Sequence, residues 1–420
     1  MLKPLSGIRV VEMGSVVLGP YAAQVLADMG ATVIKVEPLH GDTTRHLGHI
    51  EHPGMGALFL NCNRGKRSVA LDVKHPEGYR ALCRIVGTAD VFLHNMRVDT
   101  AAKLGVGYDR LAAGNERLVY CATYGYGAVG RDARRPAYDD VIQAASGIAA
   151  LRGMIDGVPA YAPTIIADKT TALFVVIGIM GALMERARTG QGRQLEVAMF
   201  ETMTHFVSIE HLNGYTYDPP KAGVGYTRLL NAYRRPHRTK DGYLAVMPHN
   251  EKQWRKFFKL VGRDDVLVDP RFADVASRAR NTDALYVEVS KILPTRTSAE
   301  WAELFTKHDV PFGPVNGLDD LAADPHLADV GFWHTVEHPT EGRLRVPSFP
   351  VRDGGPDGDA TPAAIAPTLG QHSVQVLGEV GYTPTAIDAL LQEGVIATEW
   401  NAGERVASTD SFDAMRSGKA

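Results

Sequence analysis

One carboxylate in this sequence stands where a helix is predicted to begin, and it is the sharpest candidate for chemistry. Asp168 follows the segment 163–167 (PTIIA) and opens the predicted helix 169–188. Free backbone N–H groups and the helix dipole would stabilise the carboxylate there and lower its pKa. Such an aspartate is often a plain N-cap, worth ~1 kcal/mol, and local sequence favours that interpretation. It can also be a covalent nucleophile toward an activated acyl group, which only a partner motif can decide.

A glycine-rich motif resembles a nucleotide-binding signature but lacks the context for one. Residues 125–130 read GYGAVG and match G-x-G-x-x-G after a predicted strand at 118–123. A dinucleotide fingerprint must also open a helix, so that the helix N-terminus meets the pyrophosphate. Here the glycines run into the charged segment 131–136, which ends in proline. We therefore interpret residues 125–130, the glycine loop, as a flexible loop that can line a ligand cleft, and expect no NAD or FAD.

Basic residues follow several predicted strands. The segment 61–67 (NCNRGKR) precedes one strand, and Asn95, Met96 and Arg97 follow another, with Lys103 shortly after them. Strand-end loops of a parallel sheet bind anionic ligands, although solvated surface turns carry the same residues.

A second group of cations lies in a predicted linker. Arg234, Arg235 and Arg238, the arginine cluster, belong either to a solvated loop or to a clamp for a carboxylate or phosphate. The 15 histidines show no HExxH or H-x-H spacing, so no metal site is expected.

The elements that must position these residues alternate between strand and helix up to residue 200. The predicted strands are 8–13, 32–37, 68–73, 90–94, 118–123 and 194–200, and the predicted helices are 21–29, 76–86, 141–151 and 169–188. Such alternation predicts an α/β fold with a doubly wound, mostly parallel sheet.

The pattern changes after residue 212. The segment 213–236 is rich in Tyr, Gly, Pro and Arg and reads as a linker. Shorter elements follow, with helices predicted at 250–262, 278–293 and 298–307; a strand near 344–351, an exposed stretch at 353–362 and a helix at 373–379 come later. We predict a large domain from residues 1–212 plus 326–420, and a linker and small domain from residues 213–325.

Composition excludes several classes of protein. The chain has 45 Lys+Arg against 48 Asp+Glu, a formal net charge of −3, which argues against a nucleic-acid partner. Cys62, Cys83 and Cys121 lack CxxC spacing, which is typical of a reducing compartment. The longest apolar stretch, 172–184, is shorter than the ~20 residues of a membrane span. We expect a cytoplasmic protein without a membrane partner.

Ordered blocks along nearly the whole chain resemble the family III CoA-transferases, which include formyl-CoA transferase and the carnitine CoA-transferases. The blocks read LSGIRVVEMGSVVLGPYAAQVLADMGATVIKVEPLHGD, NCNRGKRSVALDVKHPEG, HNMRVDTAAKLGVGYDRL, RRPAYDDVIQAASG and ADKTTALFVVIGIMGALMERARTGQGRQLEVAM, followed by TKDGYLAV, VPFGPVNGLDDLAADPHL and LGQH at 369–372. The resemblance implies a Rossmann-like large domain, a smaller α+β domain and an interlocked homodimer.

The same resemblance assigns Asp168 as the nucleophile. Its carboxylate would attack an acyl-CoA thioester to give an aspartyl mixed anhydride, and CoA thiolate would then give an aspartyl-CoA thioester. The implied substrates are an acyl-CoA and a carboxylic acid, with no metal, ATP or redox nucleotide. The protein must exclude water and supply N–H donors to the oxyanions.

The family's CoA contacts match positions spread over four segments of this chain. They are Val17, Leu18, Leu71, Asp72, Val73, Lys74, Asn95, Met96, Arg97, Lys103, Pro136, Ala137, Tyr138 and Asp139, with Arg97 and Lys103 facing the phosphates. Pro38 and Pro136 stand where formyl-CoA transferase has basic residues, and its glycine-rich covering loop has no match. Formate/oxalate exchange is therefore not expected, and the arginine cluster suggests a small dicarboxylic acid as acceptor.

Two other functions fit parts of the same pattern. The α-methylacyl-CoA racemases share the fold but show Gly-His-Asp where this chain has Ala137, Tyr138 and Asp139. A tyrosine of pKa ~10 would replace the histidine base poorly. A CoA-binding protein without turnover would need a disabled Asp168, whereas the aspartate is present.

Overall fold

The computed structural model describes residues 3–248, 250–351, 354 and 364–398. They form two compact units: unit 1 holds the described residues of Met1–Ser146, Pro163–Thr204 and Leu327–Ala420, and unit 2 holds those of Gly147–Ala162 and His205–His326. Residues 147–162 and 205–212, which the sequence analysis assigned to the large domain, cluster with unit 2. The exposed stretch predicted at 353–362 lies outside the described residues, apart from Gly354.

The strands of the described residues form one large sheet and two small ones. In chain order they are β1 (Arg9–Met13), β2 (Thr32–Glu37), β3 (Lys66–Leu71), β4 (Val91–His94), β5 (Val119–Tyr124), β6 (Arg193–Ala198), β7 (His237–Arg238), β8 (Tyr243–Val246), β9 (Phe312–Pro314), β10 (Trp333–His338), β11 (Gly342–Pro347) and β12 (Ile396–Ala397). The large sheet has the order β12-β3-β2-β1-β4-β5-β6. Its neighbours from β3 to β6 pair in parallel, and β12 pairs antiparallel to β3.

This strand order is that of a doubly wound Rossmann-like sheet with one antiparallel edge strand, which confirms the predicted α/β class. The strands that the sequence placed at 32–37 and 90–94 lie within one residue of those positions. β12 was not predicted, because a two-residue strand carries no periodic signal.

Helices connect the strands and cover the sheet. They are α1 (Leu18–Asp28), α2 (Ala57–Cys62), α3 (Pro76–Gly87), α4 (Val98–Leu104), α5 (Tyr108–Ala112), α6 (Asp139–Ala145), α7 (Ile148–Asp156), α8 (Ile166–Thr189), α9 (Met199–His211), α10 (Glu251–Leu260), α11 (Asp264–Leu267), α12 (Val275–Arg280), α13 (Thr282–Ile292), α14 (Ser298–Lys307), α15 (Pro325–Asp329), α16 (Ser373–Glu379) and α17 (Pro384–Gln392). The helices α3, α16 and α17 contribute to one buried core with β1 to β5, while α1 and α8 pack together and against other strands.

Several predicted elements have other bounds than the observed ones. The helix predicted at 278–293 is α12 and α13, the helix predicted at 21–29 begins at Leu18, and the strand predicted near 344–351 ends at Pro347. The single helix predicted at 141–151 is two helices, α6 and α7, because Gly147 takes a φ of +93° between them, a left-handed conformation that ends a helix. The strand predicted at 194–200 ends at Ala198, and Met199 already begins α9.

Unit 2 has its own core. A three-stranded antiparallel sheet of order β7-β8-β9 packs with helices whose buried side chains are largely aromatic. Trp254, Phe257 and Phe258 on α10 and Trp301 and Phe305 on α14 form this cluster. The helix predicted at 298–307 is α14, as observed. A capping box at Thr297 and Glu300 starts it.

The helix α8 is long and apolar enough to cross a membrane by length and composition alone. Half of its most apolar window is buried inside the structure, where α8 packs against α1, β5 and β6. A core helix of a globular domain meets the same length and composition criteria. Among the described residues, no group of three or more His, Cys, Asp and Glu side chains could hold a metal ion.

Candidate active site

Asp168 occupies the third position of α8, in unit 1. Ile165, the residue before the helix, provides no side-chain cap. Instead, Oδ1 of Asp139 accepts hydrogen bonds from the backbone N–H groups of Ala167 at 2.7 Å and of Asp168 at 3.0 Å. The interpretation of Asp168 as a plain N-cap is therefore wrong, because Asp139 performs that task and leaves the carboxylate of Asp168 available for chemistry.

Asp139 is held in place by a residue one helical turn further along α6. Nε2 of Gln143 donates to Oδ2 of Asp139 at 2.6 Å and lies 3.4 Å from the carbonyl oxygen of Thr164. Gln143 is fully buried. The side chain therefore ties the start of α6 to the segment that enters α8, and it fixes Asp139 against Asp168.

The environment of Asp168 raises its pKa rather than lowering it. Burial raises the pKa of Asp168 to about 7, and the negative charge of Asp139 adds to the rise. The lowered pKa expected from the sequence is wrong, because burial and a like charge outweigh the helix dipole. A carboxylate that titrates near neutral pH and is poorly solvated is a stronger nucleophile than an exposed one.

The glycine loop does not cradle a ligand with the N–H groups of its two central residues, because acidic side chains already bind them. The N–H of Gly127 donates to Oε1 of Glu201 at 2.9 Å, and the N–H of Ala128 donates to Oε1 of Glu196 at 2.7 Å. The next helix, α6, begins only at Asp139. Both observations support the sequence interpretation that this motif is no dinucleotide fingerprint.

A cleft opens at the carboxyl ends of β1 to β4. In an open parallel sheet, ligands bind where the strand order reverses, which here is between β1 and β4. A cavity of about 540 Å³ lies there and is lined by residues that follow four strands. Its lining includes Gly14, Pro38, His40, Leu71, Lys74 and Met96.

The residues matched to CoA contacts divide into two groups. Leu71, Asp72, Val73, Lys74 and Met96 line this cavity. The others lie outside its lining: Val17 and Leu18 are buried at the start of α1, Arg97 and Lys103 are exposed at the two ends of α4, and Pro136, Ala137 and Tyr138 precede α6. Their contacts with CoA stay predictions, and the carboxylate of Asp139 is occupied at α8.

Asn95 joins the two loops that flank the cleft. Oδ1 of Asn95 accepts from the N–H of Ser15 at 2.9 Å, and Nδ2 donates to the carbonyl oxygen of Ser15 at 2.8 Å. The amide of Asn95 is therefore engaged with the backbone of the β1–α1 loop. This contact orders the loop that leads into Val17 and Leu18.

Comparison with known proteins gives this arrangement its family. The model of the family described as CoA-transferase family III matches residues 5–373. The chain belongs to CoA-transferase family III.

Its relatives within that family cover nearly its whole length. It is 33% identical over 398 residues to the succinate--glutarate CoA-transferase of Agrobacterium fabrum, covering 90% of this chain and 96% of that relative. It is 31% identical over 400 residues to the succinyl-CoA:glutarate CoA-transferase of Mus musculus, covering 94% and 91%. The crystal structure of a CAIB/BAIF family protein from Brucella suis has a TM-score of 0.76 and 33% identity, and covers 90% of this chain and 100% of that one.

Sequence reasoning missed a buried ion network beneath the cleft of this CoA-transferase. Nζ of Lys35 lies 3.1 Å from Oε1 of Glu12 and 3.0 Å from Oδ2 of Asp42, and Nζ of Lys66 lies 3.0 Å from Oε2 of Glu12. Burial disfavours the charged form of Lys35, but the carboxylates of Glu12, Asp42 and Glu37 outweigh it and raise its pKa. Burial lowers the pKa of Lys66 to about 8.

This network holds the backbone of the β1–α1 loop. Oε1 of Glu12 accepts from the N–H of Gly14, Nζ of Lys35 donates to the carbonyl oxygen of Gly14, and Oδ1 of Asp42 accepts from the N–H of Val16. Val16 has a φ of +67°, which is strained for a β-branched residue. Hydrogen bonds from β1, from β2 and from the segment after β2 therefore maintain a conformation that the loop would not adopt alone.

A buried histidine orders the second loop of the cleft. Nε2 of His94 lies 2.7 Å from the hydroxyl of Tyr120, which itself donates to the carbonyl oxygen of Val106 at 3.1 Å. His94 therefore donates from Nε2, and its Nδ1 accepts from the N–H of Met96 at 3.2 Å. Burial lowers the pKa of His94 to about 4, which keeps the ring neutral near pH 7.

The arginine cluster lies in unit 2, whereas Asp168 and the cleft belong to unit 1. Arg235 and Arg238 are exposed, and Arg234 is half-buried. Nη1 of Arg234 is buried and has no hydrogen-bond partner among the residues that the structure describes. Burial and the charge of Arg235 lower the pKa of His237 to about 4.

Proposed function

We propose that this CoA-transferase moves CoA from an acyl-CoA to a carboxylic acid with Asp168 as its covalent nucleophile. The observation that carries the proposal is the buried carboxylate at the start of α8, with its backbone N–H bound by Asp139. Because Asp139 caps the helix, the oxygens of Asp168 are not needed for structure. They are free to attack a thioester.

The first step forms the mixed anhydride. An oxygen of the Asp168 carboxylate attacks the thioester carbonyl carbon, and the C–S bond breaks as CoA leaves as a thiolate. The step requires deprotonated Asp168, and a pKa of about 7 leaves a large deprotonated fraction at neutral pH. Burial of the side chain excludes the water that would otherwise hydrolyse the anhydride.

The second step transfers CoA to the enzyme, and two further steps transfer it to the acceptor. The thiolate attacks the carbonyl carbon of Asp168, and the first acid leaves as a carboxylate. The acceptor carboxylate then attacks the aspartyl-CoA thioester, thiolate leaves again, and thiolate attack on the new acyl carbonyl regenerates Asp168. Each step exchanges one activated acyl group for another, so the sequence balances without an external energy source.

The cleft at the carboxyl ends of β1 to β4 supplies the place for CoA. Its volume of about 540 Å³ is within the usual range of small-molecule sites. Lys74 and His40 line it, and both can approach phosphate oxygens where Pro38 replaces a basic residue of formyl-CoA transferase. Arg97 and Lys103, at the two ends of α4, add exposed cations that we assign to the CoA phosphates.

A small dicarboxylic acid is the proposed acceptor. Two relatives are named for succinate or succinyl-CoA and for glutarate. The free acids succinate and glutarate each carry two carboxylates. One carboxylate would react and the other would need a cationic partner.

We further propose a homodimer, interlocked as in the family, and a cytoplasmic location. Leu173, Ile177 and Met184 on α8 are exposed apolar side chains, which a second subunit would remove from water. The described cysteines are all free thiols, which suits a reducing compartment. Light scattering of the purified protein tests the dimer. A molar mass equal to that of one chain would contradict it.

Mass spectrometry of CoA esters tests the activity. The protein would be incubated with succinyl-CoA and a pool of carboxylic acids, beside Asp168→Asn and Asp140→Asn variants. Transfer chemistry predicts new acyl-CoA species with the wild type and with Asp140→Asn, which alters an exposed neighbour of Asp139, but none with Asp168→Asn. An enzyme–CoA adduct should map to Asp168. Deuterium exchange at the α-carbon of a 2-methylacyl-CoA without transfer would instead indicate a racemase-like enzyme.

A further inference from the structure

We propose that Glu196 and Glu201 are positioning residues that set the geometry of Asp168 through the glycine loop. This inference rests on the proposed role of Asp168. It assigns a task to the glycine motif that neither nucleotide binding nor the transfer mechanism explains.

The glycine loop is docked onto the start of α9 by a set of short contacts. Glu201 accepts from the N–H of Gly127, Glu196 accepts from the N–H of Ala128, and the N–H of Phe200 donates to the carbonyl oxygen of Gly125 at 3.0 Å. The rings of Tyr126 and Phe200 lie 5.4 Å apart between their centroids. The loop is therefore fixed at both its first and its central residues.

The two carboxylates are committed to this loop. Within the described residues, neither Glu196 nor Glu201 takes part in an ion pair with a basic side chain. Hydrogen bonds from backbone N–H groups to an ionised carboxylate are short and strong. Glu201 also lies in the first turn of α9, where a negative charge is stabilised by the helix dipole. Their negative charges thus hold the loop in place of a phosphate ligand.

The glycines are required by close approach. A Cβ added to Gly127 would lie 2.6 Å from Oε1 of Glu201, and a Cβ added to Gly125 would lie 2.2 Å from Cβ of Ala137. At Gly125 no space is left beside Ala137, whereas a side chain at Gly127 would displace the carboxylate of Glu201 from its present position. The backbone of the loop is therefore pressed against the acids on one side and against Ala137 on the other.

Ala137 transmits the position of the loop to the nucleophile. It precedes Tyr138 and then Asp139, whose Oδ1 binds the N–H groups of Ala167 and Asp168. A displaced glycine loop would release Ala137, and Asp139 would no longer meet both donors. A misplacement of about 1 Å at a reacting group can lower a rate by ~10²-fold.

Amide hydrogen exchange tests, without relying on activity, whether the glycine loop holds Asp139 against the N–H groups of Ala167 and Asp168. Glu201→Ala and Glu196→Ala should each raise the exchange rates of the Ala167 and Asp168 amides by at least about tenfold while amides of β1 to β4 are unchanged. Glu201→Gln keeps an oxygen acceptor but loses the negative charge, so its exchange rates should lie between those of the wild type and Glu201→Ala. Glu185→Ala, which removes an exposed partner of Arg193, is the matched control. Gly125→Ala should reproduce the effect from the other side of the loop.

Kinetics supply the second measurement. In Glu201→Ala, kcat should fall about tenfold while KM for the acyl-CoA changes less than about twofold, because ligand binding is preserved and positioning is not. Unchanged exchange at Ala167 and Asp168 would overturn the inference, as would a rise spread equally over the sheet. If the wild type transfers no CoA, only the proposed function is refuted. The exchange measurement still tests whether Glu196 and Glu201 position Asp168.

Discussion

The backbone N–H of Asp168 donates to the carboxylate of Asp139 at 3.0 Å, so two acidic residues meet across one hydrogen bond. The same contact has two effects. It fixes the start of α8, and it places a negative charge beside Asp168 that contributes to the raised pKa of its carboxyl group. Asp139 therefore acts on both the position and the ionisation of the nucleophile, although burial is the larger cause of the raised pKa.

The rate of CoA transfer should depend on pH through Asp168. Only the carboxylate attacks a thioester, so kcat/KM should rise about tenfold per pH unit below pH ~7 and level off above it. Initial rates between pH 5 and 9 measure the midpoint. An acid limb centred near pH ~4, the ordinary range of an aspartate, would contradict the raised pKa.

Asp139→Asn should shift that midpoint downward. Asparagine keeps an oxygen that can accept from the N–H groups of Ala167 and Asp168, but it removes the like charge that helps raise the pKa of Asp168. Asp140→Asn alters an exposed carboxylate at the next position and should leave the midpoint unchanged. Equal shifts in both variants would indicate a general charge effect instead.

Asp168 should cost stability as pH rises. Its pKa is raised from 3.8 to about 7 in the folded state, so the folded protein binds the proton more tightly than the unfolded chain. The penalty is absent below pH ~4, grows as pH rises, and is complete above pH ~7, on the order of 4 kcal/mol. Asp168→Asn removes this dependence.

Urea unfolding of wild type and Asp168→Asn at pH 4 and pH 8 checks that sign. The variant should gain stability relative to wild type between the two pH values by on the order of 4 kcal/mol. The comparison cancels any constant effect of the asparagine amide. A wild type that instead gains stability relative to the variant as pH rises would show that Asp168 has a lowered pKa.

Lys35→Met should strongly destabilise unit 1. It leaves Glu12 and Asp42 with one fewer cation in a fully buried network, and breaking a buried ion pair costs ~3–5 kcal/mol. Lys240→Met, at an exposed position, is the control. Urea unfolding followed by circular dichroism measures both. A loss as small as that of the control would mean that the network contributes no net stability.

The cations at the ends of α4 should act on binding alone. Arg97→Ala and Lys103→Ala should each raise KM for the acyl-CoA about tenfold with little change in kcat, because a lost charge-assisted phosphate contact affects ground state and transition state equally. Arg193→Ala, on the edge strand β6, is the control. An unchanged KM would place the CoA phosphates elsewhere. Thioesters of dephospho-CoA show which variant has lost its contact with the 3′-phosphate.

Much of the fold could be predicted because its signals are local. β2 is a short strand that is buried beyond its first residue, and α14 begins at its own capping box. Residues near in sequence define both elements. Asp168 could be singled out for the same reason, by its place before a long apolar helix. The helix predicted across Gly147 failed because one left-handed residue interrupts a continuous apolar pattern.

The missing parts of the site depend on contacts between distant residues. Asp139 lies 29 residues before Asp168, and Glu201 lies 74 residues after Gly127. No local sequence pattern predicts either contact. The direction of the Asp168 pKa was wrong because the helix dipole is visible in the sequence, whereas burial and a neighbouring charge arise only on folding.

The edge strand β12 is synthesised last among the strands of the large sheet, so the sheet cannot be completed until translation has nearly ended. It covers the outer edge of β3 with residues 396 and 397, and Arg45 contacts the carbonyl oxygen of Pro367, 322 residues later. A ribosome-bound chain that ends before these segments exposes the unpaired edge of β3, a template for association with other chains. Chains truncated by a stop codon after α8 should therefore aggregate although they retain Asp168. Loss of β12 would then abolish activity through insolubility rather than through loss of the nucleophile.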